Sequence, residues 1–440
     1  MKRREFLKVS GGAAAGFWIA GRATAYGQER SPNAKLHVAA IGVGGQGGTN
    51  LAAVARTETI VALCDVDDQR LAEAARKHPG ARIFHDYRRM FDAMAREIDA
   101  VVVSTPDHHH APASISAMQL GKHVYCEKPL THSVAEARRM AQEAARAKVA
   151  TQMGNGGHSS SGQASLVELV RSGVIGPIRE VHVWTDRAFG GGKRPREYPP
   201  CPAHLHWEEW LGPAPHRPYH GGLHPFSWRG WWDFGTGSLG DMACHNMDAA
   251  FWALELDNPK IIEAQGTPVD PESTPTWTTV AWDFPARGDR PPVKLVWYDG
   301  VRPGPDGQKV PNRPPQDLIG SEKMVPNGSI FVGEKGTIYV PSSYGGRHVL
   351  LPREKFEGHA PPPPTLRRAE GGHHGSWIAA CKGGPPALSD FSYAARLTET
   401  VLLGNVAYRA GRRIEWDGAA MKPSAGEEFI RREYREGWRL

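Results

Sequence analysis

The chain has 440 residues, with 53 Lys and Arg against 47 Asp and Glu and a formal net charge of +6. That length exceeds one small core and argues for about two domains, while its glycines and prolines follow no period and so exclude collagen. Five basic residues (Lys2, Arg3, Arg4, Lys8, Arg22) against Glu5 place most of the positive excess in the first 25 positions. The remainder carries no basic patch that would argue for nucleic acid.

The first element is a targeting segment. Lys2 to Lys8, "KRREFLK", precedes the apolar, Gly/Ala-rich "VSGGAAAGFWIAG" and then Ala23-Thr24-Ala25, a small-x-small cleavage site. Basic, apolar and small residues in that order describe an export signal over 1–25, and the paired Arg3-Arg4 resembles the twin-arginine type. The implied partner during export is the twin-arginine translocase, and the implied location is the periplasm after signal removal. The apolar stretch is too short and glycine-rich for stable membrane insertion.

From Leu36 the pattern becomes strand, turn, helix. "LHVAAIGVGGQGGTNLAAVA" passes through Gly42-x-Gly44-x-x-Gly47, and "TIVALCDVD" then ends a second strand at Asp65. Glycines there allow a tight turn and close approach of backbone N–H groups to a pyrophosphate, at the positive end of the following helix. Gly45 and Gln46 lie in the same turn. A carboxylate at Asp65 suits a ribose 2′-hydroxyl and repels a 2′-phosphate, so NAD is expected rather than NADP. Helices over 68–78 and 87–96, a strand over 98–107, a helix over 111–121, a strand over 123–130, a helix over 133–147 and a strand over 149–155 continue the alternation. Such alternation makes an α/β domain with a doubly wound parallel sheet, a Rossmann domain over 34–156. Ligands of such sheets lie beyond the carboxyl ends of the strands. This places Ser104, Thr105 and Pro106, His110, Glu127, Lys128 and Pro129, and Gly154 and Asn155 on the cofactor rim.

After about residue 156 the helices thin out. "IREVHVWTDR", "TWTTVAWDF", "VKLVWYD" and "SIFVGEKGTIYV" read as strands, several alternating at period two. Strands without intervening helices predict a mostly antiparallel sheet in an α+β domain over 157–440. Helices return at 374–382 and 392–410, and the charged "GEEFIRREYREGW" reads as a surface helix. On a helix beginning near Asp241, positions Asp241, His245, Asp248 and Trp252 share one face, while Met242, Cys244, Met247 and Phe251 turn into packing. The segment between 184 and 232 is dense in Trp, His, Pro and Gly; exposed tryptophans there offer flat faces to sugar rings, or else cover the sheet or a subunit interface. Cysteines 64, 126, 201, 244 and 381 are odd in number and lack C-x-x-C, so no disulfide framework is expected. The histidine groups at 108–110, 220 and 224, and 373–374 lack companion ligands at recognised spacings, so no metal is expected.

"AAIGVGGQG", "CDVD", "STPDHHHAP", "GKHVYCEKPL", "GSLGDMACHNMD" and "YRAGRRIEWD" together resemble the Gfo/Idh/MocA family of NAD(P)-dependent oxidoreductases. The resemblance implies a Rossmann domain followed by a domain with a large open sheet, and commonly a dimer or tetramer formed through that sheet. It implies that Lys128 lies beside the nicotinamide and the substrate hydroxyl, that Glu127 helps hold the nicotinamide side, and that His245 paired with Asp241 serves as acid and base. The chemistry so implied is oxidation of a secondary alcohol of a carbohydrate: His245 takes the hydroxyl proton, Asp241 orients the imidazole, Lys128 stabilises the developing alkoxide, and hydride leaves to the nicotinamide. Free NAD is not expected outside the cytoplasm, which argues for a captive, internally recycled cofactor. Glycoside cleavage by transient oxidation and elimination is the alternative, and a non-catalytic sugar or nucleotide sensor on the same fold is a second.

Overall fold

The computed structural model describes residues 34–439; the export signal expected over 1–25 lies outside them. The nucleotide half is built on β1 (His37–Ile41), β2 (Thr59–Cys64), β3 (Arg82–Phe84), β4 (Ala100–Val103), β5 (His123–Cys126) and β6 (Thr151–Met153). These form a parallel sheet in the order β3-β2-β1-β4-β5-β6. The order reverses beside β1, and the register Val38↔Ala100 through Ile41↔Val103 aligns the carboxyl ends of β1 and β4 at that switch point. β1 and β4 are buried almost throughout, as expected of central strands covered by helices on both faces.

The second half carries β7 (Ile178–Thr185), β8 (Ile261–Gly266), β9 (Trp277–Phe284), β10 (Val293–Pro303), β11 (Lys309–Pro311), β12 (Asn327–Gly333), β13 (Gly336–Val340), β14 (Val349–Leu351), β15 (Ile414–Asp417) and β16 (Lys422–Pro423). Their order is β14-β13-β12-β7-β10-β9-β8-β15-β16, with β11 beside β10. The sheet is antiparallel except where β10 runs parallel to β7. β9 alternates half-buried and buried residues along its length, so one face lies against the core. The long helix Phe391–Ala410 covers that face. At Gly404 an added Cβ would stand 2.8 Å from the Trp282 ring and 2.7 Å from Leu239, so only glycine permits this approach. Among the described residues no helix is long and apolar enough to cross a membrane.

Besides the C-terminal run, two segments of the second half return to the nucleotide half. The helix Gly372–Cys381 inserts Trp377, fully buried, into the apolar layer formed by Val38, Ala40, Leu63, Val102 and Tyr125. The second is the strap, residues 186–235. It is zipped to the loop after β2 by main-chain bonds from Asp68 N–H to the His204 carbonyl at 2.9 Å and from His206 N–H to the Val66 carbonyl at 2.8 Å. The strap has its own core of Leu205, Trp210, Leu211, Leu223, Trp228, Trp231 and Phe234.

Three expectations about elements need correction. The helix carrying Asp241 runs only over Gly237–Asn246, and a separate short helix, Asp248–Ala253, follows Met247. The segment 426–438 is no surface helix. A short 3-10 turn, Glu427–Phe429, leads into irregular chain, because Arg432 is drawn in to Glu136 at 2.7 Å and Trp438 is buried against Tyr87. Most tryptophans of the strap belong to its core, where Trp207 and Trp210 stack at 4.5 Å, and Trp210 and Trp228 also line the cavity between the two halves. The five cysteines are free, and Cys64, Cys126 and Cys244 are buried.

Candidate active site

A cavity of about 940 Å³ lies beyond the carboxyl ends of β1, β2, β4 and β5, between the two halves. At Gly42 the backbone takes φ +80°, and an added Cβ would stand 2.5 Å from the Ser104 carbonyl oxygen, which fixes the turn tightly over β4. Gly45, at φ +53°, starts the helix Gln46–Val54 without any side-chain cap, and an added Cβ there meets nothing within 4 Å. The turn therefore leaves a positive helix end open to the cavity. Asp65, at the end of β2, accepts hydrogen bonds from the N–H groups of Val43 at 2.8 Å and Asp67 at 3.0 Å. Burial raises its pKa, and those two donors offset part of the rise. An uncapped helix end and a carboxylate beside it are a donor and acceptor set that fits the pyrophosphate and ribose of a dinucleotide.

At the other end of the cavity the Glu127 carboxylate is buried and accepts from Asn50 Nδ2 at 2.9 Å. Burial pushes its pKa up, and the Lys128 charge pulls against this. Room for that carboxylate exists because residue 154 is glycine: a Cβ there would stand 2.5 Å from Glu127 Oε1. The Lys128–Pro129 peptide is cis. Lys128 Nζ donates to Asp241 Oδ1 at 2.8 Å and to the Asp241 carbonyl at 3.2 Å. Burial opposes the charge on Lys128, yet the Asp241 and Glu127 carboxylates outweigh it and hold its pKa above the ordinary lysine range. For Asp241 too, burial is outweighed by Lys128 and Arg229, and its pKa is held well below the usual carboxylate range. His245 lies one helical turn further on, its ring 5.5 Å from that of Tyr344, with Nδ1 buried and unpartnered. Burial, then the Lys128 charge, depress its pKa to about 3, so the imidazole is neutral in the free protein.

The rim expected from sequence is gathered for the most part, although Pro129 does not reach the cavity wall. Gly42, Gly44, Gly45, Gln46, Asp65, Ser104, Thr105, Pro106, Glu127, Lys128, Asp241 and His245 all line the cavity. Gly47 does not: its Cβ would stand 2.1 Å from the Gly42 carbonyl oxygen, so it seats the helix against the turn. His110 does not either, because its ring is spent between the carbonyls of Pro129 at 2.7 Å and Thr105 at 2.9 Å, under the Lys128 loop. Asn155 is buried behind the wall, with neither side-chain polar atom partnered. Finally, the Asp241 carboxylate is engaged by Lys128 and by Arg229 Nε at 3.1 Å, not by His245, since the two cations outcompete a neutral ring. The expected stripe also divides, as Asp248 faces His158 at 2.9 Å and Trp252 stacks on His158 at 4.2 Å.

The sequence reading missed several residues of the same cavity. Arg70 lies across the glycine turn, where a Cβ on Gly44 would meet its side chain at 2.5 Å. Its place in the first turn after the Asp67 cap was the one local signal available. Asp107, buried and bonded by the Thr236 hydroxyl at 2.7 Å, has its pKa raised by burial to about 7. Arg229, Phe226 and His224 come from the strap and Trp438 from the C-terminal segment, so no local spacing points to them.

A parallel sheet with a glycine-rich turn at its switch point, closed by a second sheet that contributes ionisable groups, defines a two-domain dinucleotide-binding protein of the dehydrogenase type. Residues 36–155 match the family model described as oxidoreductase family, NAD-binding Rossmann fold, and residues 164–288 match its C-terminal alpha/beta domain. The chain belongs to the Gfo/Idh/MocA oxidoreductase family. It is 35% identical over 154 residues to a glycosyl hydrolase family 109 protein of Solibacter usitatus, across 30% of this chain and 34% of that one. It is 31% identical over 152 residues to an inositol 2-dehydrogenase of Rubrobacter xylanophilus, across 33% of this chain and 43% of that one. The chain thus spans less than half the length of these curated relatives. In fold it is similar to the WlbA dehydrogenase from Bordetella pertussis in complex with NADH and UDP-GlcNAcA, with TM-score 0.60 and 17% identity over 87% of this chain and 99% of that one. The aldose-aldose oxidoreductase from Caulobacter crescentus complexed with glycerol gives TM-score 0.56 and 17% identity over 87% of this chain and 100% of that one.

Proposed function

We propose that the protein is an NAD-dependent oxidoreductase acting on a secondary hydroxyl of a sugar or glycoside, with a tightly held cofactor recycled in place. The observation that carries this reading is the Lys128–Asp241 pair, one residue from each half, with His245 on the next turn and all three on one cavity with the glycine turn. Bound NAD would supply a hydride acceptor there. The turn from Gly42 and the open helix end hold its pyrophosphate, and Asp65 takes ribose hydroxyls and disfavours a 2′-phosphate. Lys128, kept charged by Asp241, stabilises negative charge on a carbinol oxygen as its proton leaves. His245, being neutral, has a lone pair free to accept that proton. Asp241 acts through Lys128, as the lysine's counter-ion.

A second reading, glycoside cleavage through transient oxidation and elimination, is favoured by the similarity to glycosyl hydrolase family 109 proteins. Incubating the purified, undialysed protein with a panel of glycosides and free sugars, while following nicotinamide absorbance and released aglycone together, separates the two. Aglycone without net reduction selects cleavage; a keto-sugar selects oxidoreduction; neither, from a protein that holds the dinucleotide, leaves the non-catalytic sensor. The basic, apolar and small residues of 1–25 support export in the folded state through the twin-arginine translocase to the periplasm. Assembly into a homo-oligomer through the open sheet completes the proposal.

A further inference from the structure

Asp68, His85 and His206 bring one carboxylate oxygen and two imidazole nitrogens within 4.8 Å of one another. They come from three places: the first turn of the helix Asp68–Lys77, the end of β3 and the strap. Asp68 Oδ1 stands 3.1 Å from His206 Nε2 and 3.5 Å from His85 Nε2. Ligands bound tetrahedrally at zinc-like lengths stand about 3.3 Å apart, so both separations are those of neighbours around one ion. The two rings stack nearly parallel, with centroids 3.8 Å apart, so one ring must turn about its χ angles to bring both Nε2 lone pairs onto one ion.

His85 is oriented from behind by the main chain. Its Nδ1 lies 3.1 Å from the Asp65 carbonyl, which accepts only, so Nδ1 carries the proton. In the neutral ring Nε2 is then a bare lone pair facing a carboxylate oxygen, an arrangement that a cation relieves. A backbone carbonyl holding the far nitrogen is also how metal-binding imidazoles are oriented. His206 is placed independently of any side chain, by the main-chain bonds on either side of it, Asp68 N–H to His204 and His206 N–H to Val66.

We propose that Asp68, His85 and His206 form a binding site for one Zn²⁺ ion, with solvent as the fourth ligand. Two imidazoles and a carboxylate suit a borderline-soft transition ion and not Mg²⁺. The ion clips the strap to the loop after β2 at the nucleotide end of the cavity, whose wall includes His85. Its role is structural and independent of the reaction.

The test uses the full chain, stripped with a chelator and titrated calorimetrically with Zn²⁺, with Mg²⁺ as control. The expected result is one Zn²⁺ per chain, no saturable Mg²⁺ binding, a higher melting temperature with Zn²⁺, and the visible bands of a tetrahedral centre with Co²⁺. His85→Ala and His206→Ala should each weaken Zn²⁺ binding about 100-fold. Because His206→Ala also removes a strap side chain, Asp68→Asn, checked for an unchanged circular dichroism spectrum, serves as the second variant and should weaken binding similarly. Absence of saturable Zn²⁺ binding overturns the proposal. So does equal binding by the His85→Ala/His206→Ala double variant.

Discussion

The Lys128 ammonium and the Asp241 carboxylate meet at 2.8 Å across the boundary between the two halves, with side chains only 14% and 7% exposed. When Lys128 is removed, Arg229 at 3.1 Å remains as the counter-ion of Asp241. Replacing Lys128 by Ala should therefore leave a folded protein that still binds NAD. Turnover on the substrate found by the panel should fall about 10²–10³-fold. Steady-state kinetics beside an equilibrium dinucleotide titration checks this; full turnover in the variant would end the catalytic assignment.

Asp65 joins two tasks, since its carboxylate bonds the N–H groups of Val43 and Asp67 while lining the cavity. Asp65→Ser should shift preference toward NADP by about tenfold, as repulsion of a 2′-phosphate is lost. It should also cost about 1–3 kcal/mol of stability through the stranded donors. Fluorescence titration with both dinucleotides and a denaturant curve measure the two effects separately.

Asp107 makes stability depend on pH in a defined direction. Its folded pKa, raised by burial to about 7, lies above the ordinary value of 3.8. The folded state therefore binds the proton more strongly, and the stability this gives is present below pH 3.8 and lost as pH rises through 7. Asp107→Asn keeps an acceptor for the Thr236 hydroxyl without the charge. It should melt roughly 2–4 °C above the parent at pH 8 and close to it at pH 4. A constant difference across that range would contradict the assignment.

For His245 the sign is opposite. A folded pKa of about 3, below the ordinary 6.5, means that stability is present above 6.5 and is lost as pH falls toward 3. The ring stays neutral through pH 5–8 in the free protein, so no acid limb near 6.5 should arise from it in kcat/KM. A rate profile compared with nuclear magnetic resonance titration of the His245 ring decides the point.

Trp438 closes the cavity from the far end of the chain, with its ring edge-on to Tyr87 at 5.8 Å and the Arg88 guanidinium 3.7 Å above it. Trp438→Ala should raise the NAD dissociation constant about tenfold while leaving the Lys128–Asp241 pair intact. Unchanged retention would remove Trp438 from the cofactor wall.

Residues whose task is local were legible in sequence. Gly42 and Gly45 need backbone freedom, Asp65 ends a strand, and Lys128 precedes a proline at a strand's carboxyl end; each demand acts within a few neighbours. What could not be read depends on the path of the chain. Nothing near Asp68 announces His85 or His206, and nothing near Arg229 announces Asp241. The end of one helix at Asn246 and restart at Asp248 carries no glycine or proline to mark it. The charged run 426–438 has a helical composition, but burial of Arg432 beside Glu136 and of Trp438 beside Tyr87 overrides local propensity.

Because Trp438 forms part of the wall that begins at the turn near Gly42, residues through 438 must leave the ribosome before that wall can close. The parallel sheet is finished at Met153, long before its lid arrives. A dinucleotide enclosed by the finished wall is thus captured only after synthesis has passed residue 438.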